Sequence, residues 1–294
     1  MGGSFPRRAR NERDVTHASS ADHPLGNDDE LDRDDAIDEV ASAVAALAQP
    51  RLLVFDCDGV LAPLVDHADD SVLLDDVGEL LAAIASQRDT CVAVLSGRSL
   101  AGLEQFEFDP SIVVAGSYGA ERRGHGELAL TSDEAELLTR LGDIAIAAAA
   151  TAGAGAWVEH NPASVVVHVR QAEPRRGAAA LDDARRRADA IDGAEVHDGS
   201  NVVELMARAS DKGAGLDRLR ADTSAAGVLY VGDDVPDEAA FERADVSVKV
   251  GAGTTGAQFR LADPTEVREL LARTATLGPH AEAGDTPSTA HRSP

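Results

Sequence analysis

Between Asp34 and Ala48, apolar residues recur at Ile37, Val40, Val44 and Leu47 among acids and alanines, a spacing that predicts an amphipathic helix. The rhythm then changes. RLLVFD (51–56) is an apolar run of strand length, and it opens an alternation of helix over 76–87, strand over 90–95, helix over 99–106 and strand over 112–115. Such βαβα order predicts a doubly wound parallel sheet with helices on both faces. A second block runs differently: a helix over 134–151, short strands in WVEHN and SVVVHVR, a charged helix over 175–190, and strands over 194–197 and 201–206. The first pattern resumes with helix 212–220, strand 227–231, helix 236–243, strand 246–250 and helix 264–273. The expected layout is an α/β core over 34–120 and 200–275 with an inserted α+β cap over 121–199. The polar ends, an acidic leader over 1–33 and a tail over 276–294, carry too few large apolar groups to order and are expected to be disordered.

Two core strands run directly into acids. In LLVFDCDG, alternate residues share a face, so Asp56 and Asp58 can project together while Cys57 points away and Gly59 lets the chain leave sharply. YVGDDVPDE likewise ends in Asp233, Asp234, Asp237 and Glu238. In open parallel sheets the ligand site lies at these carboxyl ends. Crowded carboxylates repel, and a hard divalent cation relieves them; magnesium fits because it uses few carboxylates and leaves room for a phosphate. LSGRS (95–99) closes a further strand and offers the Ser96 hydroxyl with the backbone amides around Gly97 at a helix start.

Charge narrows the ligand. With 27 basic against 52 acidic residues the net charge is −25, which disfavours nucleic acid and anionic membranes as partners. An anionic small molecule would need a local positive centre. Lys212, one of only two lysines, opens a predicted helix and supplies a compact point charge suited to a phosphoryl oxygen. Cys57 and Cys91 sit in apolar runs, as reduced packing residues do, and no apolar run reaches membrane-spanning length. Arg7 and Arg8 have no apolar stretch behind them, so no export signal is read and the expected location is the cytoplasm.

Taken in order, DCDGVLAP (56–63), SGR (96–98), DKG (211–213) and GDDVPDE (232–238) resemble the four motifs of the haloacid dehalogenase superfamily of phosphotransferases. The resemblance implies Asp56 as nucleophile, Asp58 as general acid and base, Ser96, Gly97 and Lys212 as phosphate ligands, and magnesium held by Asp56, the Asp58 carbonyl and Asp233. Finer features, GSYGAE (116–121), VEHNPASVVVHVR (158–170), Glu204 ahead of DKG, and GDDVPDEAAF (232–241), resemble the trehalose-6-phosphate phosphatase family. That likeness implies a phosphoric monoester hydrolase of the trehalose pathway. It also implies that Glu159, Asn161, Arg170 and Glu204 contact sugar hydroxyls while Arg98 lines the entrance. The chain departs from the family at Tyr118, where histidine is usual, at Asn161, where lysine is usual, and at Met206-Ala207, in place of Arg-Pro. A phosphatase for another sugar phosphate, or a sugar-phosphate sensor without turnover, remain alternatives.

Two other classes fall away. GAGTTG (251–256) matches a dinucleotide fingerprint, but only a helix and a polar tail are expected after it, with no strand to carry a ribose-binding acid. A cysteine phosphatase needs arginine six residues beyond its thiolate, where Cys57 has Pro63 and Cys91 has Gly97.

Overall fold

The computed structural model describes residues 28–65, 67–126, 128–199, 201–208 and 210–276. Most of the expected leader and all but Thr276 of the expected tail lie outside these. Helix α1 (Asp28–Ala45) begins six residues before the expected Asp34, so part of that leader is helical. The apolar periodicity starts only at Ile37, and the polar first turns carry no such signal.

The core elements follow as β1 (Arg51–Phe55), α2 (Val77–Ala85), β2 (Thr90–Leu95), α3 (Leu100–Leu103), β3 (Val113–Gly116) and β4 (Glu121–Arg122). The cap contains α4 (Ser132–Ala152), β5 (Trp157–His160), β6 (Ser164–His168), α5 (Pro174–Asp189), β7 (Glu195–Gly199) and β8 (Val202–Met206). The core resumes with α6 (Lys212–Thr223), β9 (Gly227–Gly232), α7 (Glu238–Phe241), β10 (Val246–Val250), β11 (Phe259–Leu261) and α8 (Pro264–Thr276).

Seven strands form the core sheet in the order β11-β10-β9-β1-β2-β3-β4, parallel except for the β3–β4 pair. Strand periodicity divides its side chains between two apolar layers. Leu53 and Phe55 pack with residues of α1, α2 and α8, whereas Leu52 and Val54 pack with Leu216 and Leu219 of α6 and Phe241 of α7. Because β1 lies between β2 and β9, with Phe55 level with both Val94 and Val231, the carboxyl ends of three strands stand side by side.

The smaller sheet is antiparallel, in the order β5-β6-β8-β7. Val165, Val167, Val203 and Leu205 point into an apolar layer under α4 and α5. The alternate residues of the same strands, including Glu159, Ser164, His168 and Glu204, form the sheet's other, polar face. The expected division after residue 199 runs through this sheet, because Val202–Met206 pairs with both β6 and β7.

Two short strands were not expected. β4 spans two residues and β11 three, too few for alternation to register. β11 pairs parallel with β10 after GAGTTG, so a strand does follow that stretch. The glycine-rich segment itself is a turn with Gly251 and Gly253 at positive φ, and no helix starts there. The expected helices over 99–106 and 236–243 each divide into a four-residue α-helix and a 3-10 turn. No described helix is long and apolar enough to cross a membrane.

Candidate active site

The residues given a site role by the motif resemblances line one cavity of about 590 Å³ between the two sheets: Asp56, Asp58, Ser96, Gly97, Arg98, Glu159, Asn161, Arg170, Glu204, Lys212 and Asp233. The core supplies its floor and the cap its roof.

The floor is built from strand ends. Asp56 follows β1 directly; its N–H donates to the Val231 carbonyl at 2.9 Å, continuing the sheet by one bond. One carboxylate oxygen accepts from Cys57 N–H at 2.7 Å, and the other lies 2.6 Å from Lys212 Nζ. Lys212, the first residue of α6, is almost wholly buried and reaches Asp237 at the same 2.6 Å distance. Burial alone would favour the neutral amine, but the charges of Asp237 and Asp56 outweigh it and raise the Lys212 pKa. Burial also lifts the Asp56 carboxyl well above the carboxylate range; Lys212 opposes the shift, and Asp237 and Asp233 add to it.

Asp237 was visible in the sequence only as one acid among four, yet it organises the floor. Its Oδ1 accepts from Lys212 and from the Tyr230 hydroxyl, and its Oδ2 accepts from the N–H groups of Asp233 and Asp234. With burial offset by these donors, its pKa falls. Its four-residue offset from Asp233 in a strand-end turn is the signal that could have marked it.

Asp56, Asp233 and Asp237 each bring a carboxylate oxygen within 4.8 Å of the others. The compact trio of side chains thus adds Asp237 to the expected Asp56 and Asp233, while Asp58, expected through its main-chain carbonyl, turns its side chain to other partners. Asp237 has both oxygens engaged, and Asp56 has one on Cys57 N–H and the other on Lys212, so Asp233 is the carboxylate of the trio that no donor holds. Among the described residues the Asp233 carboxylate accepts no hydrogen bond. Burial, and then the charge of Asp237, push it up to about 7. Hard oxygen donors in need of positive charge fit a magnesium ion. Gly59 makes room for this arrangement: at φ +75°, a Cβ there would lie 2.1 Å from Asp233 Oδ2.

Asp58 accepts a two-pronged contact from Arg98 and a hydrogen bond from Ser71 Oγ at 2.9 Å. Arg98 therefore lines the cavity while bound to an acid, a pairing the sequence did not reveal. Ser96 is buried after β2, and its Oγ accepts from Arg98 N–H at 3.2 Å. Tyr118, in left-handed backbone at φ 55°, lays its ring against Gly97. Its hydroxyl donates to Glu204 at 2.7 Å.

The roof holds the remaining candidates. Glu204 also accepts from Ser164; burial raises its pKa against the pull of both hydroxyls. Glu159 Oε2 lies 2.9 Å from His168 Nε2. Arg170 reaches across to the core, donating to the Val65 carbonyl at 3.3 Å. Asn161 is buried, and among the described residues its Oδ1 has no partner. Trp157, His168 and His197, to which the sequence gave no site role, also line the cavity, as does Asp234 of the strand-end acids.

Residues 54–258 match the trehalose-phosphatase family model. The chain is 29% identical over 223 residues to the trehalose-6-phosphate phosphatase of Escherichia coli (strain K12), covering 74% of this chain and 84% of that one. It is 32% identical over 300 residues to the trehalose-phosphate phosphatase of Mycobacterium ulcerans (strain Agy99), covering 90% and 74%. Among solved structures, the C-terminal domain of Candida albicans trehalose-6-phosphate phosphatase aligns with a TM-score of 0.71 at 21% identity, covering 81% of this chain and 96% of that one. This last likeness shows a shared fold.

Proposed function

Because the chain belongs to the trehalose-phosphatase family and is thereby a phosphoric monoester hydrolase, we propose that it hydrolyses trehalose 6-phosphate to trehalose and phosphate through an aspartyl-phosphate on Asp56. The reading rests above all on one arrangement: Lys212 Nζ lies 2.6 Å from the Asp56 carboxylate in the same cavity that Glu159, Asn161 and Glu204 roof.

Phosphate monoesters hydrolyse extremely slowly without a catalyst, so dividing the reaction between two easier steps is productive. Asp56 attacks phosphorus, and the sugar oxygen leaves with a proton from Asp58. Asp58 then takes a proton from the water that attacks the aspartyl-phosphate, which frees inorganic phosphate and restores both acids. Lys212, the Ser96 hydroxyl and the amides near Gly97 hold the phosphoryl oxygens. Magnesium, held by Asp56, Asp233 and the Asp58 carbonyl, would supply the charge that lets an ester dianion approach a carboxylate. Glu159, Asn161, Arg170 and Glu204 bind the sugar beneath a cap that shields the reaction from bulk water. The unpaired Cys57 and Cys91 suit a cytoplasmic setting.

Phosphate release from a panel of sugar phosphates, with magnesium and with chelator, tests the reading. Trehalose 6-phosphate should give the highest kcat/KM, magnesium should be required, and Asp56→Asn should abolish turnover with the circular dichroism unchanged. A clear preference for another sugar would move the substrate assignment. Full steady-state turnover by Asp56→Asn would remove the nucleophile.

A further inference from the structure

Trp157 is the only tryptophan in the chain. It lies on β5, an edge strand of the cap sheet, where it is 47% exposed and lines the cavity. Its cross-strand partner is His168, and the two rings lie parallel within 2°, with 3.8 Å between centroids. His168 is fixed in turn by Glu159, 2.9 Å from its Nε2. The indole is thus backed on one side by an anchored ring, and its orientation is set without a ligand.

A cross-strand aromatic pair would account for the stacking. It does not account for leaving so much of the bulkiest apolar side chain open in the cavity that holds Asp56 and Lys212. The surroundings suggest what covers it. Glu159 shares its strand face, and Arg170, Asn161 and Glu204 line the same cavity, so an apolar plate stands beside convergent hydrogen-bonding groups. A pyranose ring needs this combination. One of its faces is formed by C–H bonds with slight positive charge, which pack on the negative face of an aromatic ring, while its hydroxyls require polar partners around the rim.

We propose that Trp157 is the stacking platform for a pyranose ring of the substrate, an inference that rests on the sugar-phosphatase reading above. The side chain binds and selects; it takes no part in proton or phosphoryl transfer.

A chain with one tryptophan reports on this site directly. The emission of Trp157 in the full-length protein, titrated with trehalose in the presence of chelator, should change saturably. Trp157→Ala should raise KM for trehalose 6-phosphate roughly three- to tenfold, and more than it lowers kcat, with Trp157→Phe restoring most of the loss. The ratio of kcat/KM for trehalose 6-phosphate to that for glycerol phosphate, which has no ring, should fall in the Ala variant. An emission that stays constant through the titration, together with an unchanged KM in Trp157→Ala, would overturn the platform while the unmutated protein still turned over its substrate. If the unmutated protein released no phosphate from trehalose 6-phosphate, the functional reading would fall instead, and a saturable response to trehalose would still support the platform.

Discussion

Arg98 grips Asp58 as a fork: Nη2 donates to Oδ1 at 2.7 Å while Nε reaches Oδ2 of the same carboxylate, across 40 residues of sequence. The guanidinium is itself fixed by the Ala68 carbonyl and lies over the Phe106 ring, 5.3 Å from its centroid. Asp58 is thereby oriented before any ester arrives. A lysine at this position would keep the charge and lose the fork. Arg98→Lys should lower kcat roughly tenfold and Asp58→Asn roughly 10²- to 10⁴-fold, with smaller changes in KM. Steady-state kinetics would refute the orienting role if the Arg98→Lys enzyme kept its full kcat.

Asp237 should matter to stability as much as to chemistry. Its carboxylate is fully buried and neutralises Lys212 while satisfying the Tyr230 hydroxyl and two backbone amides. Asp237→Ala strands the Tyr230 hydroxyl and the two amides, leaves Lys212 with Asp56 alone, and should cost about 3–5 kcal/mol, the scale for breaking a buried ion pair on one side. Urea unfolding would measure it. A loss below about 1 kcal/mol would mean that water replaces the carboxylate without penalty.

Gly59→Ala tests a collision. The methyl group would enter the space of the Asp233 carboxylate and would also have to sit at positive φ. Magnesium affinity, measured by calorimetry, should fall at least roughly tenfold, because the carboxylate must swing away from Asp56. Unchanged affinity would argue against Asp233 as a ligand.

Magnesium binding should strengthen as pH rises. The Asp233 carboxyl is raised from its ordinary 3.8 to about 7, first by burial and then by the charge of Asp237. A raised carboxyl contributes stability below 3.8 that is lost as pH rises through about 7, since the folded state there holds a proton that the unfolded chain has released. The cation competes for that same proton. The increment in Tm produced by magnesium should therefore grow from about pH 5 to about pH 8 and then level off. An increment independent of pH would contradict the assignment.

Asn161 carries an acceptor with nothing to accept. Its Oδ1 is buried and unpartnered among the described residues, a costly state unless a ligand hydroxyl completes it. Asn161→Ala should leave Tm unchanged or slightly raised, and should increase KM for the sugar phosphate roughly fivefold. A fall in Tm with KM unaffected would mark the residue as structural only.

The sequence pattern was legible where signals are local. Apolar runs ending in acids marked β1 and β9, and the change of rhythm after 121 marked an insertion, though the expected boundary at 199 left the cap sheet's last strand with the core. Strands of two and three residues left no periodicity. The grip of Arg98 on Asp58 and the fourfold engagement of Asp237 depend on which strand ends meet in space. The departures from the family pattern became interpretable only in the fold: Tyr118 closes on Glu204, and Asn161 leaves an acceptor free. Trp157 looked like one apolar position in a short strand, because exposure is decided by the sheet's outer partner and not by its own neighbours.

Both lysines of this chain are enclosed, Lys212 at 3% exposure and Lys249 at 5%. Acylating reagents that seek side-chain amines should therefore find the folded protein nearly inert, despite its highly charged surface. Modification of Lys212 can proceed only when the floor of the cavity breathes, so its rate becomes a clock for that opening. Inorganic phosphate, by occupying the approach, should slow the clock.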